Sequence, residues 1–175
     1  MPTNMKSDIT APVISWAFLH SPIGRLTILA DSTGITEIRF PSNSAPLPPA
    51  GESAGGAGKD WLALAYEQLN AYFEGRLQVF ELPLSLNGTE FQRAVWRQLQ
   101  GLVYGTTASY GQIASAIGKP TAARAVGMAN NKNLIPIIIP CHRVIGTKGS
   151  LTGFAGGLDS KRWLLRHEGV GIADE

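Results

Sequence analysis

An α+β fold in two unlike halves is predicted by three features of the sequence. Short segments rich in β-branched and aromatic residues come first, and one long amphipathic helical stretch follows. The second half then carries two capping-box patterns ahead of short apolar stripes. With 175 residues the chain can bury one sizeable core or two small ones. Its 44% hydrophobic and 16% charged residues exclude disorder driven by self-repulsion.

Residues 13–20, 25–30 and 35–40 are three such short segments, separated by SerProIleGly and AspSerThrGly, and predict a three-stranded antiparallel meander. From Pro41 to Lys59 the composition turns to Pro, Ser, Ala and Gly, which cannot bury a core and predicts a flexible loop. Trp61, Leu62, Leu64, Ala65, Leu69, Tyr72 and Phe73 then recur at helical spacing until Gly75, a C-terminal cap signal. This gives an N-terminal α/β domain over 1–84.

The remaining 85–175 change character. Thr89 with Gln92, and Ser109 with Gln112, are capping-box pairs. The first heads a stripe of Phe91, Val95, Leu99 and Leu102. The second heads Ile113, Ala114 and Ile117, and Gly118 closes that short helix. Thr121 is the expected N-cap of another short helix over 122–130. Two short helices around a tight Gly-containing turn match a helix-turn-helix, or equally two core helices of an ordinary α domain.

Charge separates these readings. Residues 1–87 hold five basic and eight acidic residues, whereas 88–175 hold ten and five. Between Phe91 and His167 ten Lys and Arg face Asp159 alone, the footprint of a polyanion partner. The one cysteine, Cys141, forms neither an intramolecular disulfide nor a cysteine-based zinc cluster. No signal-peptide or membrane-span pattern interrupts the chain, so a cytoplasmic location with a reduced thiol is expected.

Ile137 to Ile139 form a continuous apolar run between two prolines, which predicts a buried strand ending at Cys141. Pro140 fixes the backbone before the thiol, and His142 and Arg143 follow it. Both could favour the thiolate electrostatically. A nucleophilic cysteine needs such neighbours, because an ordinary thiol is only a few per cent ionised at neutral pH. A lone Cys beside an isoleucine run is, on those residues alone, more commonly an inert core residue.

ProCysHisArgVal (140–144) stands in order with TyrGlyGlnIleAla (110–114), AlaAlaArgAlaValGly (122–127), ThrGlyPheAlaGlyGly (152–157) and ArgTrpLeuLeuArgHisGluGly (162–169). Together they resemble the O6-alkylguanine-DNA alkyltransferase family from about Phe91 to Gly169, and AlaTyrPheGluGly (71–75) extends the likeness weakly into the N-terminal half. The resemblance implies an RNase H-like N-terminal half and a winged helix-turn-helix C-terminal domain. It implies that Cys141 takes the alkyl group from guanine O6 by in-line displacement, and that His142 accepts the thiol proton through a water. Glu168 then holds His142, while Asn133 bonds across the turns around Cys141. The split is physically sensible, because His titrates near neutral pH and a carboxylate fixes its tautomer. The product is a thioether, which offers water no carbonyl to attack, so each molecule reacts once.

The same resemblance makes Arg124 the residue that fills the gap left by a flipped nucleotide. Thr121, Ala123, Ala125 and Gly127 border it, and the small residues suit a helix lying in a minor groove. Tyr110 is the donor to guanine N3. Val144, Ala155 and Gly156 shape the base pocket, with the Ala155 N–H reaching O6. Family members often carry Ser or Thr at the position of Ala155 and Pro at that of Leu134, and residues 130–132 also depart from the usual pattern. With no N-terminal cysteine and only His20 nearby, the structural zinc of some relatives is not expected, nor is any other metal or cofactor. His167 is expected to be structural. The partner implied is double-stranded DNA with O6-alkylguanine, with O4-alkylthymine a second candidate substrate and no membrane involved. A monomer that could load cooperatively along DNA is expected. Two other functions fit parts of the sequence: a Cys-His hydrolase, and a non-catalytic module that binds alkylated DNA.

Overall fold

A computed structural model describes residues 13–48 and 58–173. Strands β1 (Ser15–Ser21), β2 (Gly24–Ala30) and β3 (Ile35–Arg39) form the expected antiparallel meander in the order β1-β2-β3, with an irregularity between Leu29 and Ala30. Their inner face packs on helix α1 (Lys59–Phe73) through Leu62, Ala65, Leu69 and Tyr72. Gly75 follows α1 at φ +73°, a backbone conformation that L side chains rarely adopt, and its N–H returns to Tyr72 O while that of Arg76 returns to Ala71 O.

The free edge of β3 is covered by two later segments of the chain, one at the junction of the halves and one in the second half. Ile35 exchanges backbone bonds with Pro83 and Ser85, and the Ile38 N–H donates to Leu134 O at 2.8 Å. Part of the predicted loop is pinned as well: Trp16 Nε1 donates to Pro48 O and Arg39 Nη1 to Ala45 O and Pro46 O. The stretch 49–57 of that loop lies outside the described residues.

Helices α2 (Glu90–Gln100) and α3 (Tyr110–Ala116) both start at full capping boxes, Thr89 with Gln92 and Ser109 with Gln112. Helix α4 (Ala123–Asn131) follows α3 across a short turn, and Trp96 Nε1 of α2 donates to Ala129 O of α4 at 2.9 Å. Thr121 does not cap α4. Ala122 occupies the N-cap with no side-chain bond, so Thr121 stands one residue outside and exposed. Two-residue strands β4 (Ala108–Ser109) and β5 (Val144–Ile145) pair in parallel, and α5 (Leu158–His167) closes the fold. A single hydrophobic cluster runs from Leu19 of the sheet to Leu164 of α5, so both halves share one core.

The predicted strand over Ile137–Ile139 is absent. Ile137 sits at φ +74° in a tight turn, with Ile139 N–H bonded to Ile135 O. A left-handed β-branched residue is strained and persists only where its surroundings over-determine it. Here Asn133 does so, accepting from the Ile135 N–H at 2.9 Å and donating Nδ2 to Ile139 O at 2.8 Å.

Candidate active site and DNA-facing groove

Pro140, at φ −79° and ψ 64°, is the centre of an inverse γ-turn closed by the Cys141 N–H on Ile139 O at 2.7 Å. Cys141 then opens a single 3-10 turn, Cys141–Arg143, that leads into β5. Asn133 therefore holds the carbonyl that also receives the Cys141 N–H, and backbone rather than side-chain freedom sets where the thiol lies. Burial pushes the Cys141 thiol up to about 11, against the opposing pull of the Asn133 amide and the Lys161 ammonium. In the free protein the thiol is protonated at neutral pH.

His142 and Arg143 both turn their side chains to Glu168, the partner that the resemblance implies for His142. His142 Nε2 meets Glu168 Oε1 at 2.7 Å, while Arg143 donates Nε to Oε2 at 2.8 Å and Nη2 to Oε1 at 2.9 Å. The Tyr72 hydroxyl donates to Oε1 at 2.7 Å and the Gly105 N–H to Oε2 at 3.3 Å. The donors together hold Glu168 well below the usual carboxylate range despite its burial. Burial, joined by the charges of Arg143 and Lys161, lowers the pKa of His142 against the pull of Glu168, so the imidazole is neutral at neutral pH. An ionised carboxylate only accepts, so the proton of neutral His142 is on Nε2 and Nδ1 is left with a bare lone pair. That buried Nδ1 has no hydrogen-bond partner among the described residues.

Two contributors to this centre, Tyr72 and Lys161, were not singled out in the sequence. Tyr72 reaches in from α1, so the N-terminal half supplies one donor of the Glu168 cluster, and burial raises its hydroxyl pKa. Lys161 is fully buried and donates Nζ to Val144 O at 2.7 Å and to Thr152 O at 2.9 Å; burial pushes it down to about 8. Arg143 also donates Nη1 to Leu102 O at 2.7 Å. The signal was present: Lys161, Leu164, Leu165 and Glu168 form one i, i+3, i+4, i+7 stripe, and a Lys and a Glu on an apolar stripe need partners.

Tyr110, Ala123, Arg124 and Gly127 line one wall of an open groove of about 530 Å³, and Gly146, Thr147, Thr152 and Gly153 line the other. Arg124 is exposed there. Ala125 and Thr121 are exposed but lie outside this lining. Val144 is buried on β5 with its carbonyl toward Lys161. Ala155 borders a smaller cavity of about 270 Å³ with Asn131, Asn133, Pro136 and Phe40. Gly156 has a packing reason of its own, because a Cβ there would come within 2.7 Å of the Phe40 ring. His167 stacks on Trp163 and its Nε2 meets Tyr72 O at 2.7 Å. Among the described residues no group of His, Cys, Asp and Glu is arranged to hold a metal ion, and no helix is long and apolar enough to cross a membrane.

Comparison with known proteins gives this arrangement its context. Residues 14–86 match the ribonuclease-like domain of 6-O-methylguanine DNA methyltransferase, and residues 90–170 match its DNA-binding domain. A methylated-DNA--protein-cysteine methyltransferase of Methanosarcina acetivorans is 44% identical over 88% of this chain and 97% of its own length. One from Mycolicibacterium paratuberculosis is 47% identical over 89% and 93%. The crystal structure of Mycobacterium tuberculosis OGT in complex with DNA superposes with a TM-score of 0.79 at 44% identity, covering 89% of this chain and 93% of that one. The chain belongs to the 6-O-methylguanine DNA methyltransferase family.

Proposed function

We propose that this chain repairs DNA by moving the alkyl group of O6-alkylguanine onto Cys141 Sγ, once per molecule. The observation that carries the reading is the polarity of His142: Nε2 is committed to Glu168, which leaves Nδ1 as a buried base one residue from the thiol. Buried polar atoms without a protein partner are ordinarily met by water, so the thiol proton passes to Nδ1 through one. As the proton leaves, the Sγ–carbon bond forms and the carbon–O6 bond breaks in line. The purine takes a proton at N3 from the Tyr110 hydroxyl and departs neutral. Lys161 and the Asn133 amide favour the developing thiolate, which the resting site suppresses by burial.

Guanine O6 is inside a stacked duplex, so the nucleotide flips into the groove and Arg124 occupies the space it leaves. The Ala155 N–H supports O6, and Val144 O retains a lone pair for the base beyond its bond to Lys161. The protein acts as a monomer in the cytoplasm without a cofactor. A hydrolase pairs its thiol directly with the base, and His142 Nδ1 bonds no protein atom among the described residues, Cys141 Sγ included.

Incubation with duplex DNA carrying radiolabelled O6-methylguanine tests this. The label is expected on the Cys141 peptide, with a plateau at one methyl group per protein. Label on another residue, or continued turnover with excess substrate, would overturn the proposal.

A further inference from the structure

The hydroxyls of Tyr110 and Thr152 share a hydrogen bond of 2.6 Å across the 530 Å³ groove, joining its two walls. Tyr110 is the first residue of α3, on the wall that carries Arg124. Thr152 belongs to the segment between β5 and α5. The same Thr152 is held from behind, since its carbonyl accepts Lys161 Nζ at 2.9 Å, and Lys161 acts electrostatically on Cys141. Thr152 therefore links the groove with the ammonium that also holds Val144 O.

We propose that Thr152 is a positioning residue that latches the two walls of the groove together in the free protein, and that an incoming base opens this latch by taking the Tyr110 hydroxyl. This rests on the role given above to Tyr110. The arriving purine exchanges the Tyr110–Thr152 bond for a bond from Tyr110 to the base, so the hydroxyl is paired before and after. The backbone bond from Lys161 to Thr152 O is untouched by the exchange, and the loop stays anchored while its side chain lets go. Val144, three residues beyond the buried Cys141, accepts from the same Lys161 Nζ as Thr152, so a closed latch ties both walls of the groove to the segment that follows the thiol. A base that lacks an acceptor facing Tyr110 opens it at a loss, which adds selectivity before any chemistry begins.

Thr152→Val removes the hydroxyl at almost constant shape, and Thr152→Ser keeps it. One hydrogen bond of ordinary net strength corresponds to a change of roughly two- to tenfold. The first measurement needs no DNA: the rate at which 4,4′-dithiodipyridine modifies Cys141. Thr152→Val and Tyr110→Phe are each expected to raise it roughly two- to tenfold, the double variant no further, and Thr152→Ser to match the parent. The second, in a Cys141→Ala background, is the affinity for O6-methylguanine duplex relative to undamaged duplex. Thr152→Val is expected to raise this ratio by a similar factor, whereas a merely structural role would leave it unmoved. An unchanged thiol rate in Thr152→Val, or additive effects in the double variant, sinks the latch. If Thr152→Val does not fold, Tyr110→Phe alone decides by the thiol rate. Failure of the parent protein to methylate Cys141 would instead overturn the proposed function, and the thiol measurement would still read the latch.

Discussion

Glu168 accepts five hydrogen bonds from four residues in a space closed to solvent, whereas Arg124 stands exposed on α4 beside an open groove. Under the proposed function the two regions serve one reaction, and they are built in opposite ways. In the first, each polar group is a condition for the others, because buried charge is tolerated only when paired and bonded. In the second, small residues and a solvated cation leave surface that only a partner completes. A perturbation of the Glu168 cluster should therefore register in the free protein, and a perturbation of the groove only when DNA is present.

Glu168→Gln breaks that contrast most severely. It leaves the Arg143 guanidinium, whose side chain is 6% exposed, without its counter-charge. Loss of one partner of a buried ion pair costs about 3–5 kcal/mol, a large share of a typical domain's stability. Denaturant unfolding is expected to show a loss of this order. A change below about 0.5 kcal/mol, the range of ordinary surface substitutions, would mean that the cluster contributes no more than solvated side chains do.

Arg124→Ala is the complementary case. Exposed on α4, it should unfold at the parent's denaturant midpoint within error. Alkyl transfer from duplex DNA is expected to slow by a factor on the order of 10 to 100, as flipping costs a few kcal/mol. Transfer from the free base O6-methylguanine should be unaffected. Equal losses with duplex and free base would show that Arg124 acts on the chemistry rather than on the DNA.

The same contrast explains what was legible in the sequence. Local rules carry the meander, both capping boxes and the Gly118 turn, since each depends on neighbours a few residues apart. Cys141, His142, Asn133 and Glu168 could be named because a family pattern spans them. Ile137 could not be read. A run of isoleucines has a strand's composition, and its left-handed turn is imposed by Asn133 bonding to Ile135 and Ile139. The charge count also overstated the surface, because Arg143 and Lys161, two of its ten cations, face inward. Composition does not distinguish an exposed cation from one that neutralises Glu168 or bonds to Val144 O and Thr152 O.

Tyr72→Phe sharpens the comparison within the core. It deletes one donor to Glu168 while keeping the ring among Phe73, Phe80 and Tyr104. A hydrogen bond to a charged group contributes about 1.5–3 kcal/mol, and the loss here should lie near the lower figure because Arg143 and His142 still pair the carboxylate. Thermal unfolding measures it, and a Tm equal to the parent's would remove Tyr72 from the cluster's energetics.

The smallest expected effect is a cancellation. Cys141 keeps its proton in the folded state up to about 11, whereas an unfolded cysteine loses it near 8.5. Over that window the folded protein binds more protons, so stability falls as pH rises. Lys161 has the opposite sign. Its folded-state value of about 8 is below the unfolded value of about 10.4, so over that window the unfolded chain binds more protons and stability rises with pH. The windows overlap, and each slope is limited to about 1.4 kcal/mol per pH unit for one proton. Urea midpoints of the parent protein between pH 8.5 and 10 should therefore show little slope from this pair. Lys161→Met should expose the falling limb. Cys141→Ala should expose the rising limb. Parallel pH profiles for the three proteins would mean that thiol and ammonium do not titrate against one another, and the role of Lys161 in lowering the barrier to thiolate formation would fall with them.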